Sequence, residues 1–572
     1  MADEGKRKRL ETAIEAAVIL AFFTAILFLG PASASEHKLK HDYPVGYAAS
    51  DSYQHQSRAE AIKELGQYRN EAPHMMAGLT DVVGFYPPVL YHATVLFSRF
   101  TGLEAYDALF FIVGLCMALA ALAAYFLTKN IGRMAALLAL PITLLVATGK
   151  PILGAMTFGQ MPFAMSSLFL MATAWAIARI KLPRSYLLIA VFLAGTIMTH
   201  TAETLFFAIM MALIFAIMAT AKASEGKLSA VKAIISENKN VFLAIAIAAA
   251  LAAYFLPLFT GVWMKIQPYK FKVETESASF PAATVYPSDL GFMLFTIIAG
   301  LIAAALLALQ KRKELGTLLQ SPSLFVLAYS AFMLLAGFGT YAGFGLRSFQ
   351  VRLFWPIFLA PLAGFGTYQI LRLLLARLGK NASPLLAVTV ITVLLSTVVV
   401  ARYYEPPSTG SMNQFHWDAM KWIADNTQKD ARIYVLYSQV YSQTSVLYNT
   451  HRVNYFLEIS NYQGIIQNLQ LNGTFERVQS VTIAADSGAG LPFRKSLLSF
   501  GQHTEVLTGG PHDICDAEYY LVDRAFGEDQ QVLGQVNTLL LQKLLQANAT
   551  VEYQNQWLAV VKNKNVGGDC IA

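Results

Sequence analysis

Five short polar clusters stand at the ends of long apolar stretches, and two of them combine a carboxylate with an imidazole. Asp51 and His55 are four positions apart, and His200 and Glu203 are three positions apart. In a helix, both spacings bring the two side chains to one face. Carboxylates and imidazoles are the groups that most often move protons near neutral pH, so these pairs are candidates for acid–base chemistry.

Basic residues mark two further clusters. Arg347 and Arg352 precede a late apolar stretch, and their planar, permanently charged guanidinium groups suit a phosphate or pyrophosphate partner. Lys150 opens a glycine-containing connection that runs to Gln160, and irregular backbone of this kind is tolerated at membrane depth where it lines a cavity. The fifth cluster, 84–88, is a rigid proline turn that most simply starts a helix.

Each cluster also has a purely structural interpretation. Asp51 would cap a helix that starts at Ser52, a contribution of about 1 kcal/mol. His200 and Glu203 would be solvated side chains of a surface hairpin. The lysine-containing connection would be an ordinary loop, and the two arginines would bind lipid headgroups non-specifically.

The composition indicates the elements that hold these clusters. The 572 residues are 55% hydrophobic and 14% charged, with a mean hydropathy of +0.46, which excludes a disordered chain and an ordinary soluble enzyme. The apolar residues form blocks long enough to cross a hydrocarbon core of about 30 Å as helices. The sequence predicts eleven spans, at 12–30, 105–128, 134–149, 161–178, 185–199, 204–221, 241–260, 290–309, 323–341, 353–371 and 384–401.

Charge predicts the orientation of a multi-pass protein of the cell membrane. Residues 1–409 carry 32 basic and 21 acidic groups, whereas residues 410–572 carry 11 and 15. With the N-terminus in the cytoplasm, every predicted cytoplasmic connection is net basic, as the positive-inside rule requires. An odd number of spans places the C-terminus and all five clusters outside. Ionisable groups at that border need a compensating role.

The N-terminal segment has two interpretations. A basic run at 6–9, an apolar run and Pro31-Ala-Ser-Ala34 form the three parts of a secretory signal, yet the apolar run is also long enough to remain as a first span. We favour an uncleaved span. Both interpretations leave residue 36 outside, so the predicted orientation does not depend on the choice.

The sequence predicts two domains. Residues 1–409 form the membrane domain, in which 31–103 is the first external loop with an interfacial amphipathic helix at 88–100. Residues 410–572 form an external α/β domain. Helical or alternating apolar patterns there predict helices at 415–425 and 531–546 and strands at 432–437, 518–522, 550–553 and 557–561. Phe415, Met420, Trp422 and Ile423 are the expected inward residues of the first helix.

The cysteines and the glycosylation sequons give weaker evidence about the fold and the orientation. Cys515 and Cys570 either form a disulfide in an external domain or remain two thiols. Asn472 and Asn548 begin glycosylation sequons in the external domain, and a third, at Asn381, falls on the predicted inner side. No CxxC or CxxH spacing indicates a zinc site. No basic groove with interleaved aromatic residues indicates a nucleic-acid partner.

Taken together, these features resemble the GT-C superfamily of integral membrane glycosyltransferases, in particular archaeal and bacterial members that use dolichyl- or polyprenyl-phosphate sugars. The matching features are about eleven spans, the large external loop with Asp51-Ser-Tyr-Gln-His55, the Tyr86-Pro-Pro88 turn, His200 between two spans, the late arginines and the external C-terminal domain. A Trp-Trp-Asp-Tyr-Gly motif is missing, which does not favour the oligosaccharyltransferase branch.

The resemblance implies glycosyl transfer, with inversion, from a lipid-phosphate-linked sugar to an acceptor of unknown nature on the outer face. Asp51 would be the catalytic base, with Asp42 of the adjacent His41-Asp42 pair as the alternative acid. His55, His200 and Glu203 would line the acceptor side. Arg347, Arg352 and Lys150 would bind the donor phosphate, and membrane lipid would surround the chain.

A divalent cation is a further expectation from the resemblance. Asp51, His200 and Glu203 would supply oxygen and nitrogen ligands to Mg²⁺ or Mn²⁺, although members of the superfamily differ in whether they use a metal. Two other functions remain open at this point. One is a transporter of lipid or solute, and the other is a non-catalytic cell-surface assembly protein of the same architecture.

Overall fold

The computed structural model describes residues 2–48, 50–67, 87–222, 227–253, 284–339, 348–375, 384–407, 410, 412–436, 449–450, 452–456, 482–483, 514–523 and 531–570. Arg347, the sequons at Asn472 and Asn381, and residues 84–86 of the proline turn lie outside these ranges.

The first part of the chain is helical. Its helices are α1 (Ala2–Leu27), α2 (Ser50–Leu65), α3 (Val89–Thr101), α4 (Ala105–Thr128), α5 (Arg133–Thr143), α6 (Gly149–Ile152), α7 (Met161–Ile177), α8 (Ser185–Ile197), α9 (Thr201–Ala221), α10 (Lys227–Glu237), α11 (Lys239–Ala252), α12 (Phe292–Gln310), α13 (Pro322–Ala336), α14 (Ser348–Leu353), α15 (Trp355–Phe358), α16 (Ala360–Leu375) and α17 (Pro384–Tyr403). Short 3₁₀ or π turns extend several of them.

Helix length and composition support a multi-pass membrane protein. Within the described ranges, five helices are long and apolar enough to cross a membrane, and three bent pairs raise the number to eight if each pair is one span. Each of the eleven predicted spans has a helix at its position. Several of these helices, such as α7 and α8, are shorter than a full crossing. The fold class is therefore confirmed, whereas the count of eleven exceeds what length and composition alone support.

Small residues permit the closest helix contact. Gly300 of α12 and Gly366 of α16 face each other, and a Cβ atom on either would overlap the backbone of the opposite helix, at Leu362 and Thr296 respectively. Without a hydrophobic force between helices in lipid, such close backbone packing is a principal source of association. The contact holds α12 against the centre of the bundle.

A buried carboxylate connects α1 to the bundle. Glu15, only 6% exposed, accepts hydrogen bonds from the Tyr125 hydroxyl, from Lys129 Nζ at 2.5 Å and from Arg133 Nε at 2.7 Å. These contacts place the N-terminal half of α1 beside the connection between α4 and α5. Loss of α1 would leave Lys129 and Arg133 without this partner.

The segment before α2 is fixed to the start of α4. His41 donates its backbone N–H to Asp107 Oδ2 at 2.9 Å, and its Nδ1 lies 2.7 Å from Asp107 Oδ1. Further along, the buried Tyr47 hydroxyl donates to the Tyr106 carbonyl at 2.8 Å, and Tyr53 of α2 donates to the Tyr47 carbonyl at 3.1 Å. The start of α2 is thereby held at a defined position over the bundle.

The C-terminal part is the predicted α/β domain. Its described elements are α18 (Gln414–Asn426), β1 (Arg432–Leu436), β2 (Val453–Phe456), β3 (Thr482–Ile483), β4 (Tyr519–Asp523), α19 (Gln531–Gln546), β5 (Thr550–Gln554) and β6 (Leu558–Lys562). The sheet order is β3-β2-β1-β4-β6-β5, with β1 parallel to both β2 and β4 and the other pairs antiparallel. Strands β2 and β3 are absent from the sequence prediction because each is short.

Side-chain packing in this domain agrees with the helical pattern in part. Met420 and Ile423 of α18 are fully buried, whereas Phe415 and Trp422 are half-buried against the core, and the buried Trp417 was not predicted. Cys515 and Cys570 form a disulfide.

The domain contacts α2 and the start of α4 directly. Gln56 of α2 donates from Nε2 to Asn449 Oδ1 at 2.8 Å, and the Tyr106 ring meets the Trp417 ring edge-on with centroids 5.7 Å apart. Helix α2 thus lies between the membrane bundle and the α/β domain.

Candidate functional site

Asp51 lies in the first turn of α2, packed against an irregular connection of the bundle. That connection is α6, a π turn at Leu153–Thr157 and Gly159, whose φ is +81°. A Cβ atom on Gly159 would lie 2.6 Å from the Asp51 Cβ and 2.5 Å from the Ser52 nitrogen. Ser52 donates from Oγ to the Thr157 carbonyl at 2.7 Å. A glycine is therefore required where the two backbones meet.

His55 follows Asp51 by one turn and is fully buried. Its Nε2 lies 3.0 Å from the Gly159 carbonyl oxygen, which can only accept, so Nε2 carries the proton and Nδ1 accepts from the Tyr91 hydroxyl at 2.8 Å. Burial lowers the pKa of His55 well below its usual range, and the positive charge of Arg58 acts in the same direction. His55 is thus a neutral bridge between α2, α3 and the irregular connection.

Arg58, one turn further along α2, is a buried cation. It is 2% exposed, and its guanidinium carbon lies 5.9 Å from the centre of the Tyr91 ring. A cation over an aromatic face is stabilised by the ring quadrupole. Arg58 thus adds positive charge to the helix that carries Asp51 and His55. The sequence analysis did not single out this residue.

His200 and Glu203 form a hydrogen-bonded pair at the start of α9. His200 Nδ1 lies 2.6 Å from Glu203 Oε2, and both side chains are buried. The His200 ring meets Phe163 of α7 edge-on, at 6.1 Å between centroids. A positive charge on His200 would act on His55 to lower the pKa of His55, so the two imidazoles are within electrostatic range of each other. Two of the predicted clusters, far apart in sequence, therefore lie together.

Lys150 and Arg352 meet around one aromatic ring. Lys150 Nζ lies 5.0 Å and the Arg352 guanidinium carbon 5.5 Å from the centre of the Tyr286 ring. Lys150 also donates to Asp289 Oδ2 at 2.7 Å, and Arg352 donates to the Gly337 carbonyl at 3.3 Å. We call Lys150, Tyr286, Asp289 and Arg352 the basic cluster.

Two glutamines connect the segment beside Asp51 with the basic cluster. Gln160 immediately follows Gly159 and begins α7, and Gln350 lies on α14 two residues before Arg352. Gln350 Nε2 donates to Gln160 Oε1. Sequence reasoning placed both residues inside polar clusters but gave neither a role of its own.

The two candidate acids have different surroundings. Asp42 is exposed, whereas Asp51 is half-buried beside Gly159. His41 pairs with Asp107 and not with its neighbour Asp42. Burial opposes protonation of His41, but the hydrogen bond and charge of Asp107 outweigh it and raise the pKa of His41. The His41-Asp42 sequence is therefore a structural tie rather than an acidic pair.

The ligands expected for a divalent cation do not assemble. Among the described residues, no three His, Cys, Asp or Glu side chains lie together in a way that would hold a metal ion. Glu203 Oε2 is engaged by His200. The set Asp51, His200 and Glu203 thus does not fit the expected Mg²⁺ or Mn²⁺ site.

Sequence reasoning missed three partners that the fold supplies. Tyr91 lies on the interfacial helix, while Tyr286 and Asp289 flank a proline in a turn whose only sequence signal is helix capping. In that turn the Asp289 carboxylate accepts from the Tyr286 N–H at 2.7 Å. None of these residues has a charged neighbour in sequence that would mark it.

The helical bundle, the loop that carries α2 and the C-terminal α/β domain together form a fold that this chain shares with several solved structures. Among solved structures, the chain is similar to archaeal oligosaccharyltransferase AglB from Archaeoglobus fulgidus, in complex with an inhibitory peptide and a dolichol-phosphate. The TM-score is 0.54 at 12% identity, over 89% of this chain and 69% of that one.

Two further structures share the fold. An Archaeoglobus fulgidus oligosaccharyltransferase in complex with Zn and sulfate matches with a TM-score of 0.53 and 12% identity, over 88% of this chain and 68% of that one. The arabinofuranosyltransferase AftD from Mycobacteria matches with a TM-score of 0.53 and 11% identity, over 96% of this chain and 40% of that one. No protein-family model and no curated protein matches the sequence. At these identities the likeness establishes the fold.

Proposed function

We propose that this protein is an inverting glycosyltransferase that moves a sugar from a lipid-phosphate donor to an acceptor at the external membrane face. The observation that carries the proposal is the juxtaposition of Asp51 and the basic cluster across Gly159 and the two glutamines. The Asp51 carboxylate can accept a proton, and the two cations of the basic cluster can bind a phosphate. A reaction that joins these two requirements is glycosyl transfer from a phosphate leaving group.

The chemistry assigns one role to each side. Asp51 takes the proton of the acceptor hydroxyl while that oxygen attacks the anomeric carbon from the face opposite the phosphate. The bond between the anomeric carbon and the phosphate oxygen breaks, and its electron pair leaves with the lipid phosphate. Lys150 and Arg352, joined by Arg347 of the same sequence cluster, neutralise the charge that develops there.

The remaining residues position these groups. Neutral His55 ties α2 to the Gly159 carbonyl and so fixes where Asp51 stands. The paired His200 and Glu203 line the acceptor side next to His55. The α/β domain contacts α2 through Asn449 and would position the acceptor.

The donor is a polyprenyl- or dolichyl-phosphate sugar drawn from the membrane. The archaeal relative in fold was solved with dolichol-phosphate, which is the leaving group of such a donor. An Archaeoglobus fulgidus oligosaccharyltransferase of the same fold was solved with Zn and sulfate. Because the described residues of this chain do not assemble a metal site, no step here runs through a divalent cation.

Asp51→Asn tests the proposal. The measurement is transfer of labelled mannose or glucose from dolichyl or undecaprenyl phosphate to material in membranes that carry the protein. Loss of the base should reduce transfer by at least about 100-fold. Asp42→Asn, on the same loop but exposed, is the matched control and should retain activity.

Other outcomes point elsewhere. Unchanged transfer by a correctly inserted Asp51→Asn protein removes Asp51 from the mechanism. If the wild-type protein transfers from none of these donors, a transporter or a non-catalytic assembly protein accounts better for the fold.

A further inference from the structure

In the Gln160–Gln350 pair, one buried carboxamide oxygen lacks a hydrogen-bond donor among the described residues. Gln350 is 1% exposed and donates from Nε2 to Gln160 Oε1. Its own Oε1 is buried and has no hydrogen-bond partner within the part of the chain that the structure describes. A buried amide oxygen that lacks a donor is unfavourable, so its donor has to be sought outside the protein, in a bound water, ion or ligand.

The position of the pair limits which chemical groups can supply that hydrogen-bond donor. Gln160 follows Gly159, the residue that touches Asp51 and accepts from His55. Gln350 is two residues before Arg352 of the basic cluster. In the proposed reaction the transferred sugar must lie between the base and the phosphate, and the two carboxamides join the segments that carry Gly159 and Arg352.

The chemistry of the amide distinguishes the groups that could bind there. Gln350 Oε1 can only accept a hydrogen bond. An ionised phosphate has no hydrogen to give, so the lipid phosphate does not satisfy this atom. A sugar hydroxyl both donates and accepts, and it can bind a carboxamide without introducing charge into a buried site.

We propose, on the basis of the proposed function, that Gln160 and Gln350 form the subsite for the hydroxyl groups of the transferred sugar. The hydroxyl donates to Gln350 Oε1, and the bond between the two amides holds that oxygen in place. The pair therefore discriminates between sugars that differ in the orientation of one hydroxyl, whereas the basic cluster recognises the phosphate that all such donors share.

Gln350→Met tests the inference because methionine keeps the length of the side chain without its amide. The full-length protein in detergent is titrated with undecaprenyl phosphate and with undecaprenyl phosphate that carries mannose, glucose or galactose. We expect the variant to bind the preferred sugar-bearing lipid about tenfold more weakly, a loss of one good hydrogen bond. Binding of bare undecaprenyl phosphate should stay within about twofold.

Two further variants separate the subsite from general effects on the fold. Gln160→Asn shortens the partner amide and should also reduce discrimination among the three sugars. Gln56→Met removes another buried glutamine amide, one that bonds Glu60 and Asn449, and should leave the preference among the sugars unchanged.

Each remaining outcome is decisive. Equal weakening of bare and sugar-bearing lipid by Gln350→Met, or no weakening of either, overturns the sugar subsite while the proposed function stands. A wild-type protein that binds neither lipid overturns the proposed function and the subsite together.

Discussion

At the scale of single residues, environment separates groups that look equivalent in sequence. Asp42 and Asp51 are both carboxylates of the segment between α1 and α3, but only Asp51 lies against the irregular connection of the bundle. His55 has both ring nitrogens engaged by protein atoms, which makes it a positioning residue for Asp51 and not a proton acceptor. Arg58 supplies a buried charge that disfavours the protonated form of His55.

The buried neutral His55 predicts acid sensitivity. Because its pKa in the folded protein is depressed, the unfolded state binds more protons once the pH falls below the ordinary value of about 6.5, and stability falls with it. We expect the stability of the wild-type protein relative to that of the His55→Gln variant to decrease between pH 7.5 and 5.5. His55→Gln should lose part of this pH dependence, at a cost of about 1–2 kcal/mol in stability at pH 7.5.

The control for this prediction is His37→Asn. His37 is exposed, and asparagine tolerates its left-handed backbone, so the pH dependence should be that of the wild type. Identical pH profiles for wild type and His55→Gln would contradict the assignment of a neutral imidazole.

At the scale of elements, the site is built where regular helices are interrupted. The connection from α6 through the π turn to Gly159 brings backbone close to the start of α2, and the turn before α12 brings Asp289 to Lys150. Continuous helices would keep these backbone groups within their own hydrogen bonds. Because the helix is interrupted there, the Gly159 carbonyl can bind His55. The turn before α12 likewise brings Asp289 into the basic cluster.

Gly159→Ala should therefore disable the site. The new Cβ would overlap the Asp51 side chain and the Ser52 nitrogen, so α2 must move and transfer should fall by about 100-fold. Gly102→Ala is the matched control, because Gly102 has a similar φ of +72° but nothing within 4 Å of the added atom. It should cost about 1 kcal/mol of stability and leave transfer intact. Equal loss of activity in the two variants would show that backbone strain, and not the contact with α2, is responsible.

Asp289→Asn should strengthen binding of the lipid phosphate. Asp289 neutralises Lys150 at 2.7 Å, and the amide would keep an acceptor for the Tyr286 N–H while it removes the competing negative charge. We expect undecaprenyl phosphate to bind about three- to tenfold more tightly, with the gain reduced by salt. Glu314→Gln removes an exposed ion pair with Lys311 elsewhere and should change nothing. Unchanged or weaker binding by Asp289→Asn would argue against a phosphate site at Lys150.

At the scale of the whole molecule, the C-terminal domain supports the helix that carries Asp51. Gln56 joins α2 to Asn449, and Glu60 of the same helix accepts from Gln56 at 2.8 Å and faces Lys421 of α18. Burial raises the pKa of Glu60 to about 7, and Gln56 and Lys421 oppose this only in part. The contact between the two domains is thus most favourable with Glu60 protonated.

Glu60→Gln should remove this titration. With a folded pKa above the ordinary value of 4.5, the contribution of Glu60 is complete below about pH 4.5 and is lost as the pH rises through 7. The variant should exceed the wild type in thermal stability at pH 8.5 by on the order of 1 kcal/mol, with the difference small near pH 5. Glu64→Gln, exposed on the same helix, should follow the wild-type profile. A stability difference for Glu60→Gln that does not vary with pH would contradict the prediction.

The sequence by itself determined the class of the molecule. Blocks of apolar residues near Ala105 or Pro384 predict membrane helices almost to the residue, because the hydrocarbon core sets their length and composition. The change in composition near residue 410 marks the α/β domain, and the pattern of Gln531–Gln546 gives its helix without error. Asp51, His200, Lys150 and Arg352 were found because ionisable residues stand out in an apolar chain.

Only the tertiary structure decided which of these residues meet. Tyr91, Tyr286 and Gln350 are uncharged, and nothing local distinguishes them from other aromatic or amide residues until distant helices bring them to His55, Lys150 and Gln160. The bent helices and the pairing of His41 with Asp107 likewise depend on contacts between segments far apart in sequence. Membrane insertion can be predicted from the composition of each segment separately. The residues that line a pocket depend on how distant segments pack against one another.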